Sequence, residues 1–200
     1  MKKIYTMLGQ QNTNLSLYGN EDGTLFKNFD SKVKFPLSAF LSTIVKKDEP
    51  FIVVAVDSFD SPASKENNLL LEQELKNIYG NSCEYRYMKA NFTYCQKGQV
   101  ETFKELYNSF ESGDEVYFDI TFGLKPTPMT VFVACNYVQK FMKDVKIKRL
   151  VYAHYDFNDP DRVHPIVDVT SLFLLNSLID TLSMMDSQKP MDFISQVFEL

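Results

Sequence analysis

Residues 118–129 read FDITFGLKPTPM, and the residue types in that order suit one kind of chemistry, the holding of an anion. Gly123 admits backbone conformations closed to other residues and lets a ligand approach the main chain closely. Lys125 adds a full positive charge. Thr127 is placed to cap a helix and Pro128 to occupy its first turn, so the N–H groups of that turn are expected to face an anion. The same residues also suit an ordinary strand-to-helix connection in which glycine and proline satisfy geometry alone.

Other constellations offer less. There is no G-x-G-x-x-G after the first strand pattern and no G-x-x-x-x-G-K-[ST], so the dinucleotide and P-loop readings lose their support. His154 and His164 are the only histidines, and no Cys or Ser lies at a recognisable spacing for a nucleophile pair, although His154 ends a strand pattern and can face a pocket there. Asp156, Asp159 and Asp161 in YDFNDPDRVHP read as turn chemistry, and no metal site or cofactor is expected. Asp119 is expected to hold the loop by hydrogen bonds, since an acid beside phosphates is unfavourable.

The elements that must position these residues alternate. Strand patterns at KKIYTML, FIVVAV, CEYRYM, EVYFDIT, IKRLVYA and PIVDV are separated by helical stripes. The stripes are Leu37/Phe40/Leu41/Ile44, Leu71/Leu75/Ile78, Val100/Phe103/Leu106/Tyr107/Phe110, a helix from Pro128 to about Met142, and a last apolar helix near residues 171–185. FIVVAV is a continuous β-branched run of the kind buried on both sheet faces. Such alternation predicts an α/β fold, a Rossmann-like mostly parallel sheet flanked by helices, with ligands beyond the carboxyl ends of the strands. Three loops then become the candidate site, Gly9 to Thr13, Asp57 to Ser61 and Thr121 to Thr127, with Gly9, Gln10, Gln11, Asn12, Asp57, Ser58, Thr121, Phe122, Gly123, Leu124, Lys125 and Thr127 as the ligand-binding candidates.

Composition bounds the rest. Two hundred residues, 44% hydrophobic and 24% charged, fit one domain with its own core. Cys83, Cys95 and Cys135 are odd in number and form no C-x-x-C pair, which reads as reduced thiols in a cytoplasmic protein. No segment approaches the ~20 apolar residues of a membrane span, and no membrane partner is expected. A net charge of -5 argues against a coat for long nucleic acid while leaving room for one small anion in a local pocket.

DITFGLKPTPM resembles the signature segment of CRISPR-associated Rossmann fold (CARF) domains, commonly an Asp-x-Thr-His-Gly loop followed by an aromatic, Arg, Ser and a Pro-Met helix start. MLGQQN, VVAVDS, GDEVYF, IKRLVYAHYD and HPIVDVTSLFLLNSLIDTL follow in the family's order, so the resemblance spans nearly the whole chain. Phe122, Lys125 and Pro126 stand where the family often has His, Arg and Ser, and Gln10-Gln11 replace a small Thr-Gly pair.

The resemblance implies a sensor for cyclic oligoadenylate, the ring-shaped messenger of type III CRISPR immunity, working as a homodimer with the ring across its two-fold axis. It also implies a ligand-sensing domain over residues 1–185 and, over 186–200, a C-terminal tail or a linker to an output domain. Two loop copies would supply N–H donors and Lys125 charges to phosphates, while Gln10, Gln11, Asn12 and Ser58 read adenine or ribose edges and Phe122 stacks on a base or joins the core. A standalone ring nuclease is the alternative, because a ribose 2′-hydroxyl attacking its own phosphate needs alignment but no metal. An unrelated small-nucleotide enzyme and a sensory module paired with a DNA-binding domain stay open as well.

Overall fold

The computed structural model describes residues 1–19, 29–90, 96–156, 158–185 and 189–198; Cys95 lies outside them. Seven strands form one sheet: β1 (Lys2–Met7), β2 (Leu17–Gly19), β3 (Phe51–Asp57), β4 (Cys83–Lys89), β5 (Glu115–Asp119), β6 (Lys146–Ala153) and β7 (Val163–Asp168). Their order is β2-β7-β6-β5-β1-β3-β4. Each neighbouring pair is parallel except β6 with β7.

The pleat of β1 and β3 sends alternate side chains to two cores. Ile4, Leu8, Val53 and Ala55 meet Leu37, Phe40 and Leu41 of α1 (Pro36–Ile44) and Leu71 and Leu75 of α2 (Pro62–Tyr79). Tyr5, Met7, Ile52, Val54 and Val56 meet the opposite layer. There Leu106 comes from α3 (Gln96–Ser109), Val131, Ala134, Cys135 and Val138 from α4 (Pro126–Phe141), and Phe173 from α5 (Thr170–Met184). With helices on both faces of a mostly parallel sheet, the fold is Rossmann-like. Every residue of β3 is buried, as a central strand covered on both sides requires.

Lys3 is fully buried too. It is held by Asp114 at 2.7 Å, Glu111 at 3.1 Å and the Ser109 carbonyl at 2.9 Å. Removing one partner would strand a charge in the core. The helical stripes are narrower than their spacing suggests: Ile78 and Val100 are exposed. Residues 190–197 form a short helix, α6 (Pro190–Val197), whose Ile194 is buried.

After β1 the chain forms β2 at the far edge, then sets β3 and β4 on one side of β1 and β5 on the other. That reversal opens a crevice at the carboxyl ends of β1, β3 and β5, where the three sequence-predicted loops begin.

Candidate ligand-binding site

Asp119, the last residue of β5, organises the third loop. Its carboxylate is buried and accepts the Thr121 hydroxyl, the Thr121 N–H at 3.0 Å and the Thr6 hydroxyl at 3.0 Å. Burial pushes its carboxyl above the usual carboxylate range, and the bonds from Thr121 and Thr6 pull the other way. The Thr121 oxygen also accepts the Ala153 N–H at 2.9 Å, tying this loop to the end of β6. Gly123 follows with φ 95°, and a Cβ there would stand 3.0 Å from Met7 Cβ. Only glycine fits that turn without strain.

The helix after the loop begins two residues earlier than the sequence reading placed it. Lys125, not Thr127, is the residue at the cap, and Pro126 opens α4. The expected anion seat at the helix end is therefore dismantled. Pro126 and Pro128 have no N–H, and Thr127 donates its own to the Leu124 carbonyl at 2.8 Å. Thr127 is fully buried with its hydroxyl unpartnered among the described residues, while Lys125 points into solvent.

The first loop is clamped from behind. Asn67 of α2 donates both amide hydrogens, to the Gly9 and Gln11 carbonyls, each at 2.9 Å. Gly9 then lies under the Phe122 ring, and Gln10, Gln11 and Asn12 are exposed.

The second loop is structural at its base. The buried Asp57 carboxylate accepts the N–H groups of Phe59 and Asp60 at 2.9 and 3.0 Å, the Ser64 hydroxyl at 2.9 Å and the Tyr87 hydroxyl at 3.0 Å. Ser64 also completes a reciprocal cap with Ser61 at the start of α2. Ser58 is buried, and its hydroxyl accepts the Leu124 N–H at 3.2 Å, joining loops two and three.

Between these loops and the end of β6 is a cleft of about 500 Å³. Gly9, Gln10, Gln11, Thr121, Phe122 and Gly123 of the predicted set line it, together with Phe59, Tyr152, Ala153, His154 and Tyr155. A side chamber of about 50 Å³ shares Gln11, Phe122 and Tyr155 with the cleft and adds Asn12, Tyr18 and Lys34. Leu124, Lys125 and Thr127 line neither space, and neither do Asp57 and Ser58, which support the loops from below.

Among the described residues no carboxylate lines the cleft, although the chain is net acidic. Asp57 and Asp119 are turned inward, Asp60 is held by Lys65 at 2.8 Å and by Lys89, and Asp156 pairs with Arg162 at 3.5 Å. Asp156 also accepts the Asn158 N–H at 2.9 Å, the turn chemistry expected of its segment. Four aromatic rings, two glutamines and one histidine face a space that no carboxylate of the described residues enters. Such a surface suits a flat, polar, anionic molecule.

Phe59, Tyr152, Ala153 and Tyr155 of the lining, and Asn67 behind the first loop, were not among the named site residues, whereas His154 lies in the cleft as its strand-end position allowed. The signal for the tyrosines was the carboxyl-end rule applied to IKRLVYA as well as to the three loops chosen. Asn67 left none, being one polar residue within a polar helix.

No family model matches the chain. It is similar to a CRISPR-associated protein of Methanocaldococcus jannaschii, 26% identical over 135 residues, which cover 63% of this chain and 21% of that protein. The chain thus spans about a fifth of the length of this distant relative. Among the described residues no helix is long and apolar enough to cross a membrane.

Proposed function

We infer that this chain is a CARF-like sensor of cyclic oligoadenylate in type III CRISPR signalling. The observation that carries the reading is the acid-free cleft at the sheet's reversal point, walled by Phe59, Phe122, Tyr152 and Tyr155 and edged by Gln10 and Gln11. Adenines stack on rings of this kind, and glutamine side chains donate to and accept from base edges. The similarity to a CRISPR-associated protein supports the same reading.

In this proposal two copies meet so that the ring lies across both clefts, and Lys125, exposed beyond the cleft rim, adds its charge at longer range. α5 supports association, since Leu172, Leu174, Ile179 and Met184 are exposed while only Phe173 and Leu182 of that helix are buried. Residues 1–185 form the sensing unit, and residues 186–200 a tail or a linker to an output domain.

One observation favours ring cleavage as a second reading: His154 lines the cleft and is the one imidazole there. An imidazole beside a ribose 2′-hydroxyl is a competent general base. Aromatic walls bind the ground state and transition state alike, so binding without fast turnover remains the main expectation.

The test is incubation with cyclic tri-, tetra- and hexa-adenylate, with affinity read by calorimetry and products by chromatography. Submillimolar binding of one ring with the ring intact supports the sensor. Multiple-turnover linear product that His154→Ala abolishes establishes the nuclease instead, and failure of all three rings to bind rejects both.

A further inference from the structure

His164 lies on β7, fully buried and outside the cleft lining. Its ring is packed between Tyr155, with centroids 4.1 Å apart and planes at 31°, and Tyr18, at 5.7 Å and 49°. Its Nδ1 accepts the Asp156 N–H at 3.2 Å. A nitrogen that accepts carries no proton, so the neutral ring is protonated on Nε2. Tyr155 lines the cleft, and so does His154, whose own N–H donates to the Pro165 carbonyl at 3.0 Å. The segment 154–156 is thus pinned to β7 at two backbone points, one of them a titratable side chain.

We propose that His164 is a positioning residue of the cleft: its ring face sets Tyr155, and its Nδ1 holds the 154–156 segment only while the imidazole is neutral. A protonated Nδ1 would present one N–H to another, and the Asp156 anchor would be lost. Several groups act on the imidazole. Burial, the largest influence, and Arg162 disfavour its charged form and hold it below the usual histidine range, while the Pro160 backbone, Asp156 and Asp159 favour that form. Tyr18 on β2 and Tyr155 pack against its ring. The effect on ligand affinity rests on the ring-binding reading of the cleft; the anchoring itself does not.

Two substitutions separate ring from acceptor. His164→Phe keeps an aromatic face and removes the acceptor, while His164→Asn places an amide oxygen where Nδ1 was and removes the ring. Residue-resolved amide exchange of the unliganded protein should show Asp156 protected in the wild type, deprotected about tenfold or more in His164→Phe, and still protected in His164→Asn. Wild-type protection should also fall as pH drops below about 6.5, after correction for intrinsic rates, a measurement that needs no variant to fold.

Affinity for cyclic tri-, tetra- and hexa-adenylate should drop in both variants, and in the wild type it should weaken as pH falls. This series is run in a His154→Gln background, which leaves His164 as the one histidine of the chain. Equal Asp156 exchange in wild type and His164→Phe, or exchange insensitive to pH in the wild type, overturns the proposal. If no ring binds the wild type, the sensor reading falls while the exchange data still decide the role of His164.

Discussion

Gly9 carries the Phe122 ring: a Cβ built on Gly9 would stand 3.0 Å from Phe122 Cδ1 and 3.2 Å from Cγ. Loops one and three therefore touch through a missing side chain. A methyl at Gly9 must push the ring by a few tenths of an ångström, and a branched side chain must push it further. Gly9→Val is expected to reshape the cleft wall and lower ring affinity by about tenfold or more, roughly 1.4 kcal/mol. Gly9→Ala should show a smaller loss of the same sign. Calorimetric titration of both variants checks the order, and equal affinities would refute the contact.

Gly123 is more constrained, because its backbone as well as its space excludes a side chain. Gly123→Ala adds the cost of a left-handed non-glycine residue, about 1–2 kcal/mol, to a 3.0 Å approach to the Met7 side chain. A loss of about 2–3 kcal/mol in unfolding free energy is expected from urea titration. An unchanged midpoint would mean that the loop takes another path.

Lys125 is exposed and outside the cleft lining, so Lys125→Ala should leave unfolding free energy within about 0.5 kcal/mol. Its charge acts at a distance through solvent. Ring affinity should fall about three- to tenfold at low ionic strength, and the difference should vanish near ~0.5 M salt, where screening is short-ranged. A salt-independent loss would put the ammonium in direct contact with the ligand.

The pH dependence of stability follows from His164 and Asp119, which have opposite signs. His164 is held below its ordinary value of 6.5, so the unfolded chain binds its proton first and stability declines as pH falls below about 6.5. Asp119 is raised above its ordinary 3.8, so the folded chain binds that proton first and recovers some stability as pH approaches that value from above. Chemical denaturation of His164→Asn between about pH 7 and pH 5 should give a flatter profile than the wild type. A parallel profile would remove His164 as the source.

Association is open to light scattering at micromolar protein. A mass of twice the chain is expected, returning toward the single chain when Leu174 and Ile179, both about half exposed on α5, are changed to Glu. A monomer with and without ligand would exclude the shared-ring arrangement.

The alternation of apolar strands and helical stripes was enough to read the fold, because a parallel sheet with crossover helices leaves both periods in the sequence. β2 escaped. Three residues in a polar stretch carry no period, and their pairing with β7 is a long-range event. The start of α4 was misplaced because Pro126 and Pro128 both suit a first turn, and the chain's path through Gly123 decides between them. Of the site, Gly9, Gln10, Gln11, Thr121, Phe122 and Gly123 were legible from loop position, whereas the inward turn of Asp57 and Ser58 depends on Phe59, Ser64, Tyr87 and Leu124, partners that spacing does not reveal.

The paired prolines at the head of α4 have a consequence for discrimination. A helix end that keeps its N–H groups welcomes any small oxyanion, and a cell is full of inorganic phosphate and free triphosphates. This chain has removed those donors and surrounded the adjoining space with rings and amides. On the proposed reading the ligand is recognised by flat faces and base edges more than by charge, so abundant simple anions would compete poorly with a scarce messenger.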